Sequence, residues 1–81
     1  MIGVAGVRAG LQRGQVACVV VAQDAGQRTT EKVVRLAEAK HIPVLRGPVA
    51  RELGERLGRP PVQAVGVVDA ALARGLMADN G

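Results

Sequence analysis

The chain has 81 residues, 48% of them hydrophobic, and carries a net charge of +4 with a pI near 10.7. This length suits one small domain, the apolar content excludes a disordered chain, and the basic balance favours a polyanionic partner. The sequence has no Phe, Trp or Tyr, which excludes nucleic-acid modules that stack bases on aromatic side chains.

The first quarter of the chain predicts a helix and then a buried strand. Apolar residues recur at helical spacing from Val4 to Leu11, so we predict a helix over residues 4–13 that ends at Gly14. Residues 16–22 then form a continuous apolar run rich in β-branched side chains. Such a run is typical of a strand that is buried on both faces of a sheet.

A second helix and a second strand are predicted over residues 29–40 and 42–45. Thr29 or Thr30 would cap this helix, and Glu31 would lie in its positively polarised first turn. The short apolar segment that follows contains Ile and Val, which favour a strand.

The remaining residues predict a helix over 49–57 that ends at Gly58, a strand over 62–68, and a helix from its cap Asp69 to Met77. Helices and strands therefore alternate along the chain. This alternation implies an α/β fold with a largely parallel sheet and helices on its faces. No linker divides the chain, so all 81 residues are predicted to form one domain.

The charged residues of the third predicted helix are interpreted as a solvated surface. Glu52 and Glu55 are a pair that general acid–base chemistry could use, but Arg51 and Arg56 flank them and predict salt bridges instead. Gly54 lies among them inside the helix, where a glycine costs about 1 kcal/mol relative to alanine. We therefore predict that another segment of backbone approaches closely at Gly54.

No pattern in the sequence predicts catalysis, a metal site or a cofactor. Cys18 lies inside the first apolar run, where a thiol is usually inert, and His41 is predicted to be a surface residue at a helix end. One cysteine and one histidine cannot form a Cys/His metal site. The longest apolar run is too short to span a bilayer and no signal peptide is visible, so we predict a reducing, cytoplasmic location.

An ordered series of short motifs runs along the chain: Ala22-Gln-Asp-Ala25, Ile42-Pro-Val44, Glu52-Leu-Gly54, Gly58-Arg59 and Val67-Val-Asp69. The series resembles the YlxQ-like branch of the L7Ae/L30e ribosomal-protein superfamily, which has related motifs in the same order. The resemblance implies a three-layer α-β-α sandwich around a small, mostly parallel or mixed sheet of three to four strands. It also implies a non-enzymatic, ribosome-associated protein that binds structured RNA such as kink-turns and needs no cofactor.

The resemblance places RNA contacts along the first predicted helix. Gly3 matches the glycine at the start of the family's RNA-facing helix, but Ala5 and Gly6 replace the polar pair that follows it there. Arg8 lies beside the family's basic position midway along the helix, and Arg13 matches a basic position of some kink-turn binders. A charge that stabilises the helix end explains Arg13 equally well.

The resemblance implies further RNA contacts in the turns and loops. Gln23 stands where the family usually has Glu, Asp24 matches, and the turn that contains Arg28 should face the same edge as the start of the first helix. Arg59 matches a basic residue that opens a loop in contact with extruded nucleotides. Arg51 lies near another contact position, although a solvated helix face explains it about as well.

The resemblance also implies a difference at the N-terminus. Relatives carry an additional helix and a short strand before the position of Gly3, so we expect these two elements to have no counterpart here. Loss of a strand would expose a sheet edge, which invites self-pairing.

Three other interpretations of the sequence stay open. The missing polar pair is compatible with a protein-interaction module that keeps the fold but has lost RNA recognition. Cys18 or His41 could serve a small enzyme, which is the weakest of the three. Finally, the positive charge alone could reflect genome composition, because Arg, Ala, Gly and Val are all abundant.

Overall fold

The computed structural model describes residues 2–72 and 74–75. Within them the elements follow the order α1 (Val4–Gln12), β1 (Cys18–Val21), α2 (Gln27–Ala39), β2 (Val44–Arg46), α3 (Ala50–Arg56) and β3 (Ala64–Val67). Residues 70–72 and 74–75 are also helical. The predicted α/β alternation is confirmed, while Leu76 and Met77, the predicted end of the last helix, lie outside the described residues.

The three strands form one open mixed sheet in the order β2-β1-β3. The central strand β1 is parallel to β2, with Val20 opposite Leu45, and antiparallel to β3, with Val20 opposite Val65. On the outer side of β3, Ile2 forms an isolated antiparallel bridge with Val65. The sheet therefore has the size and the mixed character that the resemblance implied, whereas the largely parallel sheet expected from the alternation is not found, since one of the two strand pairs is antiparallel.

The direction of β3 follows from the way the chain returns after α3. The amide of Val62 donates to the carbonyl of Ala50, the first residue of α3, at 3.0 Å. The connection therefore runs back along α3 and delivers β3 to the end of the sheet where β1 and β2 stop. A strand that starts at this end must run antiparallel to β1, which explains why the alternation rule fails for β3.

Two apolar clusters hold the sandwich together, one on each face of the sheet. The larger lies between the sheet and the pair α1 and α2, and its buried side chains include Val7, Leu11, Val19, Val21 and Val33. The smaller lies under α3 and contains Ala22, Leu53 and Val62. Side chains of one strand alternate between these faces, and the result is the predicted three-layer α-β-α arrangement.

All three numbered helices end in the same hydrogen-bonded motif. Gly14, His41 and Gly58 each adopt a positive φ, of 70°, 57° and 67° respectively, directly after the last capping residue. After α2, for example, the amide of His41 donates to Glu38 and that of Ile42 donates to Ala37. This is the Schellman pattern, for which glycine is preferred, so His41 is the strained member of the set.

The start of α2 differs from the prediction. The helix begins at Gln27 with Gly26 as its N-cap and no capping side chain, so neither Thr29 nor Thr30 is the cap. A turn closed by the hydrogen bond from the Ala25 amide to the Ala22 carbonyl places the chain for an earlier helix start. Glu31 consequently lies beyond the first turn, where its carboxylate accepts a hydrogen bond from Gln27 at 3.1 Å.

Candidate nucleic-acid interface

The starts of the three numbered helices lie at the same rim of the sheet. At this rim β1 and β2 end and β3 begins, because Val21 lies opposite both Arg46 and Ala64. The amide of Gly3, the residue before α1, donates to the carbonyl of Ala64 at 2.9 Å, and that of Gly47 donates to Val21 at 2.8 Å. We call this edge the helix-start rim; it comprises Gly3, the turn at 22–26, residues 46–47 at the end of β2, and the first turns of α1, α2 and α3.

In α1 and α2, no side-chain cap accepts a hydrogen bond from the backbone amides of the first turn. Gly3 caps α1 with φ 88°, a conformation that favours glycine, and Gly26 caps α2. Neither turn contains an acidic residue. Unpaired first-turn amides and the positive end of the helix dipole together form a surface suited to anions such as phosphate.

The turn at 22–26 is joined to α3 by a side chain. The carboxylate oxygen Oδ1 of Asp24 accepts a hydrogen bond from the Ala50 amide at 2.7 Å, and the Gln23 amide donates to the Pro48 carbonyl at 3.1 Å. Asp24 thus supplies the N-terminal cap of α3 from a different loop, since Val49 provides no side-chain cap. Gln23 and Asp24, both predicted site residues, are exposed at the rim.

Three arginines lie at the helix-start rim. Arg28 is the second residue of α2, Arg51 is the second residue of α3, and Arg46 is the last residue of β2; all three are exposed. Arg51 has an ion pair with Glu55 at 3.9 Å, which is weak at this exposure. The sequence predicted Arg28 and Arg51 but not Arg46, whose place at the rim depends on the register of β2 against β1.

The other predicted arginines lie away from this rim. Arg8 is exposed midway along α1, and Arg13 is the C-cap at its far end, roughly 15 Å from Gly3 at 1.5 Å per residue. Arg59 follows α3, and its amide donates to the Gly54 carbonyl at 2.9 Å. The structure therefore brings Gly3, Gln23, Asp24, Arg28 and Arg51 together and leaves Arg8, Arg13 and Arg59 outside the cluster.

The loop after α3 is held against the helix at Gly54. A Cβ atom at this position would lie 2.8 Å from the carbonyl carbon of Pro60 and 2.9 Å from the carbonyl oxygen of Arg59. Real Cβ atoms do not approach backbone so closely, so only glycine fits. The close backbone approach predicted at Gly54 is confirmed, and it fixes the path of the loop that carries Arg59.

The two residues considered for catalysis differ in exposure, and neither lines the groove beside α3. Cys18 is fully buried in β1, and burial raises the pKa of its thiol, which keeps it protonated and unreactive. His41 is exposed at the end of α2. Among residues 2–72 and 74–75, no three His, Cys, Asp or Glu side chains are grouped to hold a metal ion, and no helix is long and apolar enough to cross a membrane.

These features define a small α/β sandwich with a basic rim, and comparison with known proteins specifies its family. The model of the family described as "Ribosomal protein L7Ae/L30e/S12e/Gadd45 family" matches residues 1–76. The chain therefore belongs to this family, as the motif series predicted. Membership supports an RNA-binding, ribosome-associated role in general and favours a non-catalytic one.

A solved structure shares the whole architecture. A protein of unknown function from Bacillus halodurans is 32% identical and superposes with a TM-score of 0.92, covering 96% of this chain and 79% of its own. No curated protein matches the chain.

Proposed function

We propose that this protein is a YlxQ-like member of the family that binds structured RNA of the kink-turn type, without catalysis and without a cofactor. It would act in the cytoplasm, in association with the ribosome and translation. The RNA would lie on the helix-start rim, where its phosphates meet arginine side chains and backbone amides. The family match over residues 1–76 supports the general role, and the rim supports the mode of binding.

The observation that carries the proposal is the position of Arg28 and Arg51 in the first turns of two helices. A cation near a helix N-terminus is unfavourable by a few tenths of a kcal/mol, because the helix dipole is positive there. Arg46 adds a third positive charge to the same edge. At Arg51 the carboxylates of Asp24 and Glu52 offset this cost, but the first turn of α2 has no acidic residue and no capping side chain. The position of Arg28 is therefore explained by a polyanion that binds the side chain and the amides together.

The chemistry of the rim indicates recognition of RNA shape rather than of base sequence. The chain has no aromatic side chain on which a base could stack. Ala5 and Gly6 occupy the first turn of α1, and a Cβ at Gly6 would meet no atom within 4 Å. Small residues let an RNA backbone approach the free amides closely, which suits a sharply bent strand with a defined phosphate path.

A titration of the full chain against a kink-turn RNA and an unkinked duplex of equal length tests the proposal. We expect tighter binding to the kink-turn, and affinity that falls steeply with salt because each neutralised phosphate releases counterions. Equal affinity for both RNAs, or affinity that is flat between about 50 and 200 mM salt, would contradict it.

Arginine variants locate the contact. Arg28→Ala and Arg51→Ala should each weaken binding and reduce the salt slope by about one, as expected for loss of a phosphate contact. Arg13→Ala is the informative comparison, since Arg13 lies at the far end of α1. An equal loss of RNA affinity in Arg13→Ala would show that the RNA extends along α1, whereas unchanged affinity would confine the RNA to the rim. Arg8→Ala and Arg59→Ala are measured in the same way.

A further inference from the structure

The sheet face that carries α3 has an open apolar groove of about 460 Å³. Its floor is a row of side chains from three strands, in which Val20 lies between Leu45 and Val65. Leu57 and Leu72 line its sides and are 40% and 58% exposed. A concave apolar surface open to water at this scale marks a binding site.

We propose that this groove docks an amphipathic helix from a partner protein, one with acidic side chains beside its apolar stripe. Val20, Leu45 and Val65 lie side by side on three paired strands, and side chains project out of the plane in which strands form hydrogen bonds, so an extended peptide laid on this floor could not pair with the strands. A segment that covers the floor must satisfy its own backbone hydrogen bonds, and a helix does so internally.

The charge around the groove selects an acidic partner. Arg46 and Arg56 are the charged residues of its lining, and no acidic residue accompanies them there. Arg56 bonds Glu52 at 3.0 Å, and Arg46 makes no ion pair within the described residues. A second copy of this chain, itself carrying a net charge of +4, is a poor match for a groove with a cation such as Arg46, because like charges brought together oppose association.

Nucleic acid fits this groove less well than a helix does. Nine of its eleven lining residues are aliphatic, glycine or proline, and they offer neither an aromatic face for stacking nor a polar group for reading a base edge. The groove and the helix-start rim meet at Arg46 and Gly47. A partner helix in the groove would therefore lie next to RNA on the rim, and the two would share Arg46.

Two fluorescent peptides of roughly 14 residues, about four helical turns, test this inference on the full chain. Both carry leucine at positions i, i+3, i+7 and i+10; one has glutamate and the other lysine at the flanking positions. We expect the glutamate peptide to bind with micromolar affinity by fluorescence anisotropy, and the lysine peptide to bind at least about tenfold more weakly.

Variants on the protein assign the binding to the groove. Leu72→Gln and Leu57→Gln should each weaken binding of the glutamate peptide by about tenfold. The melting temperature of each variant should barely change, because both side chains are exposed. Val68→Gln is the matched control, since Val68 is 57% exposed but does not line the groove. The inference is overturned if both peptides bind equally well, or if neither binds at up to about 1 mM. It is also overturned if Val68→Gln weakens peptide binding as much as the groove variants do, or if the protein forms a dimer that Leu72→Gln disrupts.

Discussion

The Oδ1 atom of Asp24 and the backbone nitrogen of Ala50 are joined by a 2.7 Å hydrogen bond across 26 residues of sequence. The bond ties the turn after β1 to the first turn of α3. Both segments belong to the helix-start rim, and this side chain sets their relative position together with the hydrogen bond from the Gln23 amide to the Pro48 carbonyl. A carboxylate that accepts from a helix N-terminus also complements the positive end of the dipole.

Replacement of Asp24 by alanine should lower the free energy of unfolding by about 1 kcal/mol, the usual cost of a lost helix cap. Urea denaturation followed by far-ultraviolet circular dichroism measures the change. Asp24→Asn retains an acceptor and should lose much less, and Gln23→Ala should stay within about 0.5 kcal/mol of the original chain. Equal losses for the Ala and Asn variants would show that the acceptor is unimportant.

The contact at Gly54 predicts a position where alanine, normally favourable in a helix, is harmful. Gly54→Ala should destabilise the protein by about 1–3 kcal/mol, because its methyl group forces the backbone of Arg59 and Pro60 away. The control is Gly6→Ala in α1, where a Cβ atom has no other atom within 4 Å. This variant should raise the free energy of unfolding by up to about 1 kcal/mol. Thermal melts of the two variants that shift in the same direction would refute this account.

His41 offers a stabilising substitution. It is the one described non-glycine residue with positive φ, and the equivalent positions after α1 and α3 hold Gly14 and Gly58. His41→Gly should raise the free energy of unfolding by up to about 1 kcal/mol, because it removes the clash of Cβ in the left-handed region. Gly58→Ala should cost a similar amount in the same denaturation assay. A loss of stability in His41→Gly would mean that the imidazole has a favourable role at the helix end.

The buried thiol of Cys18 predicts a loss of stability in alkali. Burial raises the pKa of this thiol in the folded state, so the unfolded state releases its proton first as pH rises. Above about pH 8.5 the unfolded state then binds fewer protons than the folded state, and the free energy of unfolding falls. The measurement is denaturation between about pH 7 and 10, and Cys18→Ala should show a shallower decline.

Reaction of the native protein with a thiol reagent gives a second readout. We expect Cys18 to react only as fast as the domain opens, since its side chain is inaccessible. Immediate reaction in the absence of denaturant would disprove the buried state of the thiol.

Most of the fold could be predicted from local pattern, and the failures have identifiable causes. The helix end at Gly14 and the cap at Asp69, whose carboxylate accepts from the amides of Ala71 and Leu72, depend on neighbouring residues alone. The start of α2 at Gln27 and the antiparallel direction of β3 depend on tertiary contacts, which propensity does not contain.

The candidate site was partly predictable for the same reason. The family resemblance identified the segments that hold Gly3, Asp24 and Arg28, and the structure brings these segments to one rim. Arg46 could not be found without the pairing of β2 with β1. The remote place of Arg13, in contrast, follows from helix length alone, because the nine residues of α1 separate it from Gly3.

The hydrogen bond between Gly3 and Ala64 joins the beginning of the described chain to its last strand. Segments that are distant in sequence therefore meet in one surface, and a fragment of the domain that lacks β3 has no partner for the Gly3 amide. Contacts this distant in sequence form late, since loop closure must precede them. The helix-start rim thus depends on β3, and a fragment that lacks this strand should be unable to form the complete rim.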